Sequence, residues 1–152
     1  MVLSNYGVYV SEADFKEKAQ LFAGAEWNYM HAIRTVINYY LGNAGISTTY
    51  TAAWFGNEND YIDCIWENIN NNNPVVVNQK INDSLYYPYQ QFTDGHYVVV
   101  KGVLQDTSTS IYTAFVNDPH YAYSGVYEIP LSRIYYYASI HSRGPFILYV
   151  NQ

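Results

Sequence analysis

The segment 94-DGHYVVVKGV-103 decides the reading of this chain. His96 stands at the mouth of a β-branched run, directly after an Asp-Gly turn signal. A run of that length, bounded by turn residues, predicts a strand. Further on, 111-IYTAFVNDPHY-121 alternates and then runs out into Asn-Asp-Pro. The polar stretch 105-QDTSTS-110 between the two runs predicts a hairpin. Centred on Thr107, that hairpin sets position 96 opposite position 118, each being eleven residues from the centre. His96 and Asp118 then become cross-strand neighbours, with the carboxylate close enough to orient the imidazole. A one-residue slip would throw the two side chains onto opposite faces. The plainer alternative is a polar strand end beside an Asp-Pro turn opener.

Outward from this hairpin, the second half of the chain reads as strands. The run 74-PVVVNQKI-81 is continuously β-branched, and 125-GVYEI-129 and 145-PFILYV-150 are two further candidates. Between them 130-PLSRIYYYAS-139 predicts a short helix with Pro130 in its first turn. The first half reads as helices. Ser11, with Asp14 three residues on, resembles a capping box for 11-SEADFKEKAQLF-22. Met30, Ile33, Ile37 and Tyr40 recur at helical spacing, with Gly42 as the expected stop. The stretch 48-TTYTAAWF-55 is read as a short third helix. Ile62, Ile65, Trp66 and Ile69 mark another, ended by the Asn run and Pro74. Helices first and strands later, with no repeat and no linker, predict one α+β domain over residues 1–152.

Composition narrows the function classes. Charged residues make up only 13%, the formal net charge is -6, and tyrosine occurs 19 times. An acidic chain without Lys/Arg clusters is a poor match for a nucleic-acid backbone, so no nucleic-acid partner is expected. No apolar stretch approaches the roughly 20 residues that span a bilayer, and no membrane partner is expected. The opening MVLSNYGVYV lacks the basic region and long apolar core of a signal peptide. The expectation is a cytoplasmic protein or one released by a non-classical route, unless a leader has been trimmed. Asn82-Asp83-Ser84 fits a glycosylation sequon that matters only in a eukaryotic secretory setting.

Cys64 is the only cysteine, which excludes an internal disulfide and a cysteine-built zinc site. Placed mid-helix, it reads as a packed small residue rather than a nucleophile. The four histidines, His31, His96, His120 and His141, show no metal-ligand spacing. His96, Asp118 and His120 would be the only convergence, so neither a metal site nor another cofactor is expected. Glu26 reads as a first-turn carboxylate complementing a helix dipole, or as a polar group at the mouth of a cleft. The tyrosine clusters 86-YYPY-89, 120-HYAYSGVY-127 and 134-IYYYAS-139 fit partly buried strand faces and an adhesive surface equally well. Few lysines guard the sheet edges against self-association.

A His–Asp pair needs a nucleophile before it can act as one does in covalent catalysis. The order of motifs here, a helix ending in VINYYLG, then NPVVV, GHYVVVKGV and VNDP, resembles the papain-like cysteine peptidases, in particular the peptidase C39-like group. The resemblance covers roughly residues 20 to 135. It implies a papain-like fold with N-terminal helices packed on a C-terminal antiparallel sheet, His96 as the catalytic histidine and Asp118 as its orienting partner. The family places its cysteine near the start of the main helix, and counting back from NYY puts that position at Asn28. A carboxamide has no ionisable proton and is not a nucleophile at neutral pH. The family's oxyanion-hole Gln is also out of register: Phe22 stands at its usual offset and Gln20 two residues further away.

The expectation is therefore a peptidase relative without its nucleophile, whose inherited cleft is lined by Gln20, Trp27, Asn28, Tyr29 and His31 and which acts by binding or self-assembly. Its partner would be a peptide or protein, or further copies of itself. Two alternatives stand beside this: a cysteine peptidase in which Asn28 replaces the natural cysteine, and a tyrosine-rich structural building block.

Overall fold

The protein's structure, a computed structural model, describes residues 1–26, 28–87, 95–120 and 124–151. Trp27, Asp94 and parts of two tyrosine clusters, at 88–89 and 121–123, lie outside the described residues. The chain forms two compact units, Met1–Ala52 with Val150–Gln152, and Ala53–Tyr149.

Three helices build the first unit: α1 (Val2–Asn5), α2 (Glu12–Ala23) and α3 (Met30–Asn43). Ser11 Oγ accepts the Asp14 amide at 3.0 Å, so α2 starts at the expected cap. α3 starts at Met30, after a 3₁₀ turn at Gly24–Glu26, and buries Met30, Ala32, Val36, Ile37 and Leu41. Its end differs from the sequence reading. Gly42 stays helical, and Gly45, at φ +72, takes the left-handed conformation while the Ile46 amide returns to the Leu41 carbonyl at 3.0 Å.

The predicted third helix is a strand, β1 (Tyr50–Trp54). Asn38 on α3 explains this. Its carboxamide accepts the Tyr50 N–H at 2.7 Å and donates to the Tyr50 carbonyl at 2.8 Å, which holds the backbone extended from outside as a neighbouring strand would. Thr48, Thr49 and Thr51 add β-branched stiffness that a helix disfavours.

In the second unit come α4 (Glu58–Asn70), β2 (Val75–Gln79), β3 (His96–Asp106), β4 (Ile111–Asp118), β5 (Gly125–Pro130), α5 (Leu131–Ser139) and β6 (Phe146–Val150). Asn57 caps α4 by accepting the Asp60 amide at 2.9 Å. The Asn run ends the helix because Asn72 tolerates φ +58 and the Asn73 amide turns back to the Asn68 carbonyl at 2.9 Å. The strands stand in the order β1-β6-β2-β3-β4-β5. β6, β2, β3, β4 and β5 pair antiparallel, each with the next. Helices beside an antiparallel sheet make this an α+β fold.

The core of this unit joins one face of the sheet to two helices. Val75, Val77, Val98, Val100, Ala114, Val116, Ile129 and Ile147 meet Tyr61 and Ile65 of α4 and Leu131, Ile134 and Tyr137 of α5. Each valine, leucine or isoleucine among them contributes about 1.5–3 kcal/mol by leaving water. β2 is buried on both faces, which is why it reads as an unbroken apolar run.

The β3–β4 register differs from the symmetric hairpin in an informative way. The turn lies at 107–110, with Asp106 opposite Ile111, so the pairing is displaced from the centre at Thr107. Continued unbroken, the ladder from Asp106 to Gly102 would place Asp118 opposite Val99, on the face away from His96. A β-bulge interrupts it between Val100 and Gly102. Lys101 is the extra residue. Beyond it Val100 pairs with Val116 and Val99 with Asn117, so Asp118 falls opposite Val98. His96 sits two residues from Val98 and shares its face. The bulge therefore restores the parity that puts His96 and Asp118 together, and it is the backbone residue that matters, since the Lys101 side chain is exposed. Deleting Lys101 is expected to cost several kcal/mol in urea denaturation by reversing the face of one strand segment, while Lys101→Ala changes stability by about 0.5 kcal/mol or less. Equal effects of the two would contradict this account.

Candidate functional site

His96 begins β3 because Gly95 turns the chain into it. Gly95 has φ +128, which L residues rarely adopt, and a Cβ there would collide with His141 Nε2. His141 is itself buried, and its Nδ1 accepts the Arg143 amide at 3.1 Å. The Gly-His step is thus a backbone requirement as well as a placement of the imidazole.

Across the hairpin, His96 Nε2 and Asp118 Oδ1 lie 2.9 Å apart, with side-chain exposures of 11% and 0%. Asp118 Oδ1 also accepts the His120 backbone N–H at 2.8 Å. An ionised carboxylate only accepts, so Nε2 carries the proton and the neutral ring presents Nδ1 as its base. Burial pushes the His96 imidazole down to about 4, with the His120 charge acting in the same direction. Burial raises the Asp118 carboxyl, opposed by the His120 amide and then the His120 charge. At neutral pH the pair is therefore an uncharged, oriented imidazole against a buried acceptor, the state a general base requires. The His120 ring stands 6.3 Å from that of His96, nearly edge-on. Among the described residues no three His, Cys, Asp or Glu side chains are grouped to hold a metal ion.

Two residues that the sequence reading passed over complete the surroundings. Gln79, at the end of β2, is paired directly with His96 and is wholly buried. Its Oε1 accepts the Tyr87 hydroxyl at 2.5 Å. Tyr87 is brought inward by the segment after β2, where Asp83 accepts the Tyr137 hydroxyl at 2.6 Å and pairs with Arg133. Tyr87 lies close enough to Asp118 for that carboxylate to help raise its phenol, behind the larger effect of burial.

The other site residues expected from the sequence belong to the first unit. Asn28 is exposed in the turn before α3, two residues ahead of Met30. Tyr29 is half-buried and is the N-cap of α3, without a side-chain cap bond. His31 is exposed, with its Nε2 3.5 Å from Glu26 Oε2 and its ring 6.1 Å from that of Tyr29. Gln20 is exposed on α2. Trp27 lies outside the described residues. The cysteine is far from nucleophilic. Cys64 is part-buried in α4, and burial, followed by the nearby Glu67 charge, pushes its thiol up to about 12.

No helix among the described residues is long and apolar enough to cross a membrane. The family model described as Peptidase_C39 like family matches residues 1–142. No curated protein and no solved structure matches the chain.

The depressed imidazole makes stability depend on acid. Between an unfolded value near 6.5 and a folded value near 4, the unfolded chain binds a proton that the folded chain refuses. Stability therefore falls as pH drops through that window, by an amount on the order of 2 kcal/mol from His96. His141, also lowered chiefly by burial, acts in the same direction. Thermal denaturation at closely spaced pH values is expected to show this slope, with a marked flattening in His96→Leu. A slope untouched by that substitution would contradict the assignment.

Proposed function

The chain belongs to the Peptidase_C39 like family, and from that premise we propose that it is a papain-like domain that has lost its nucleophile and binds a peptide segment without cutting it. Asn28 takes the nucleophile position, and His96 and Asp118 are the retained base and its orienting partner. The observation that carries this reading is the His96–Asp118 pair itself, buried and hydrogen-bonded at 2.9 Å in a chain whose one thiol is held neutral elsewhere. A carboxamide at position 28 cannot attack a carbonyl carbon, and an oriented imidazole without a nucleophile has no covalent chemistry to assist.

Self-association is the second reading. Leu104, Ile111 and Val126 are exposed on the β3–β4–β5 strands, and Glu128 is the one charged side chain of β5. That strand ends the sheet order and is weakly guarded against edge-to-edge pairing. In either reading the chain is a pseudoenzyme with a peptide, a protein or its own copies as partner.

The direct test restores the thiol. Asn28→Cys is expected to react with acetyl-Gly-Gly chloromethyl ketone, the thiolate displacing chloride, at a rate that falls at least about 100-fold when His96→Ala is added, the range general-base assistance supplies. The parent chain stays unlabelled. Cleavage of a peptide library by the parent chain, abolished by His96→Ala, would overturn the inactive reading, and a folded Asn28→Cys chain indifferent to His96 would overturn the cleft.

A further inference from the structure

Gln79 carries an anomaly that the retained pair does not explain. It ends β2 directly opposite His96 and shares the core face with Val77 and Val75. Tyr87 donates its hydroxyl proton to Oε1 at 2.5 Å, so that end of the carboxamide is occupied. The other end, Nε2, is buried and finds no acceptor among the described residues. Its neighbour Asn78 shows how this fold ordinarily treats a buried amide. Asn78 Nδ2 donates to the Gly144 carbonyl at 3.0 Å, and Oδ1 accepts the Phe146 amide at 3.1 Å. Stranding a buried amide donor is costly, and leucine or methionine would fill the same space without the penalty. The Tyr87 ring packs against those of Tyr127 and Tyr137, whose centroids lie 5.3 and 6.0 Å away, contacts that phenylalanine can also make.

We propose that Gln79 is a recognition residue of the His96 site, its idle N–H donors reserved for a carbonyl oxygen of a peptide bound against the imidazole. The inference rests on the reading of this site as peptide-binding and adds the chemistry by which it selects. Donors shielded from water gain most from a bound oxygen, and they penalise a ligand that lacks one at this point. The protein carries the stranded amide when empty and recovers the loss when occupied, a trade of stability for binding common at functional sites.

The test uses Asn28→Cys as reporter and two reagents: acetyl-Gly-Gly chloromethyl ketone, which presents peptide carbonyls, and methyl methanethiosulfonate, which has none. Adding Gln79→Leu with Tyr87→Phe removes both polar partners together, and Gln79→Met is the second arm. In both arms the rate ratio of the ketone to the thiosulfonate is expected to fall about tenfold, the worth of one hydrogen bond, while the melting temperature of the double variant holds or rises. An unchanged ratio overturns the inference, and so does a fall of several degrees in that melting temperature, which would make Gln79 a structural residue. Loss of His96-dependent labelling in the reporter itself defeats the peptide-site reading and this inference with it, whereas a sound reporter indifferent to Gln79 defeats this inference alone.

Discussion

One extra backbone residue, Lys101, sets the relation between the hydrophobic core and the polar pair at its edge. Side chains in a strand alternate, so the face on which Asp118 emerges is fixed by counting from the β3–β4 turn. Counted without interruption, it emerges away from His96. The bulge at Lys101 changes the count by one and brings Val100 opposite Val116, Val98 opposite Asp118 and His96 onto the same face. The same step puts Val103 on the side of Val100, both packed with the core cluster. Core and site are thus solved by a single irregularity, and neither can be altered without the other.

Burial is what gives the pair its chemical character. An exposed His–Asp contact would be a weak, screened ion pair. Here the carboxylate is wholly enclosed and the imidazole nearly so, and the loss of water discourages charge on both partners. The His120 amide steadies Asp118 without adding a charge of its own. Gly95 and His141 fix the backbone ahead of the strand, and Gln79, bonded to Tyr87, stands opposite His96. This preorganisation is the physical basis of the proposed site.

Much of the fold was legible in the sequence, and the failures have identifiable causes. β-branched composition and turn residues marked β2, β3, β4, β5 and β6, and Pro130 marked the start of α5. The stretch that forms β1 reads as a helix because a short apolar run carries no decisive period, and its extended form depends on Asn38, distant in sequence. The stop of α3 was placed at Gly42 rather than near Gly45, since two glycines so close together differ only in backbone conformation. His96 and Asp118 were paired correctly although the register was displaced by two residues, an even error that leaves the face unchanged. Gln79 was invisible because the long connection between β2 and β3 hides their register. No pattern along the chain indicates that one end of its amide goes unpaired.

The central claim is that the fold holds His96 as a neutral, Nε2-protonated base against Asp118. Nitrogen-15 NMR of labelled histidine tests it most directly. One His96 tautomer is expected at pH 7, with a protonated Nε2 and a bare Nδ1, and titration near pH 4. A tautomer mixture, or titration near the ordinary value of about 6.5, would show that the imidazole is neither oriented nor enclosed, and would leave a strand-end histidine in place of a retained active-site pair.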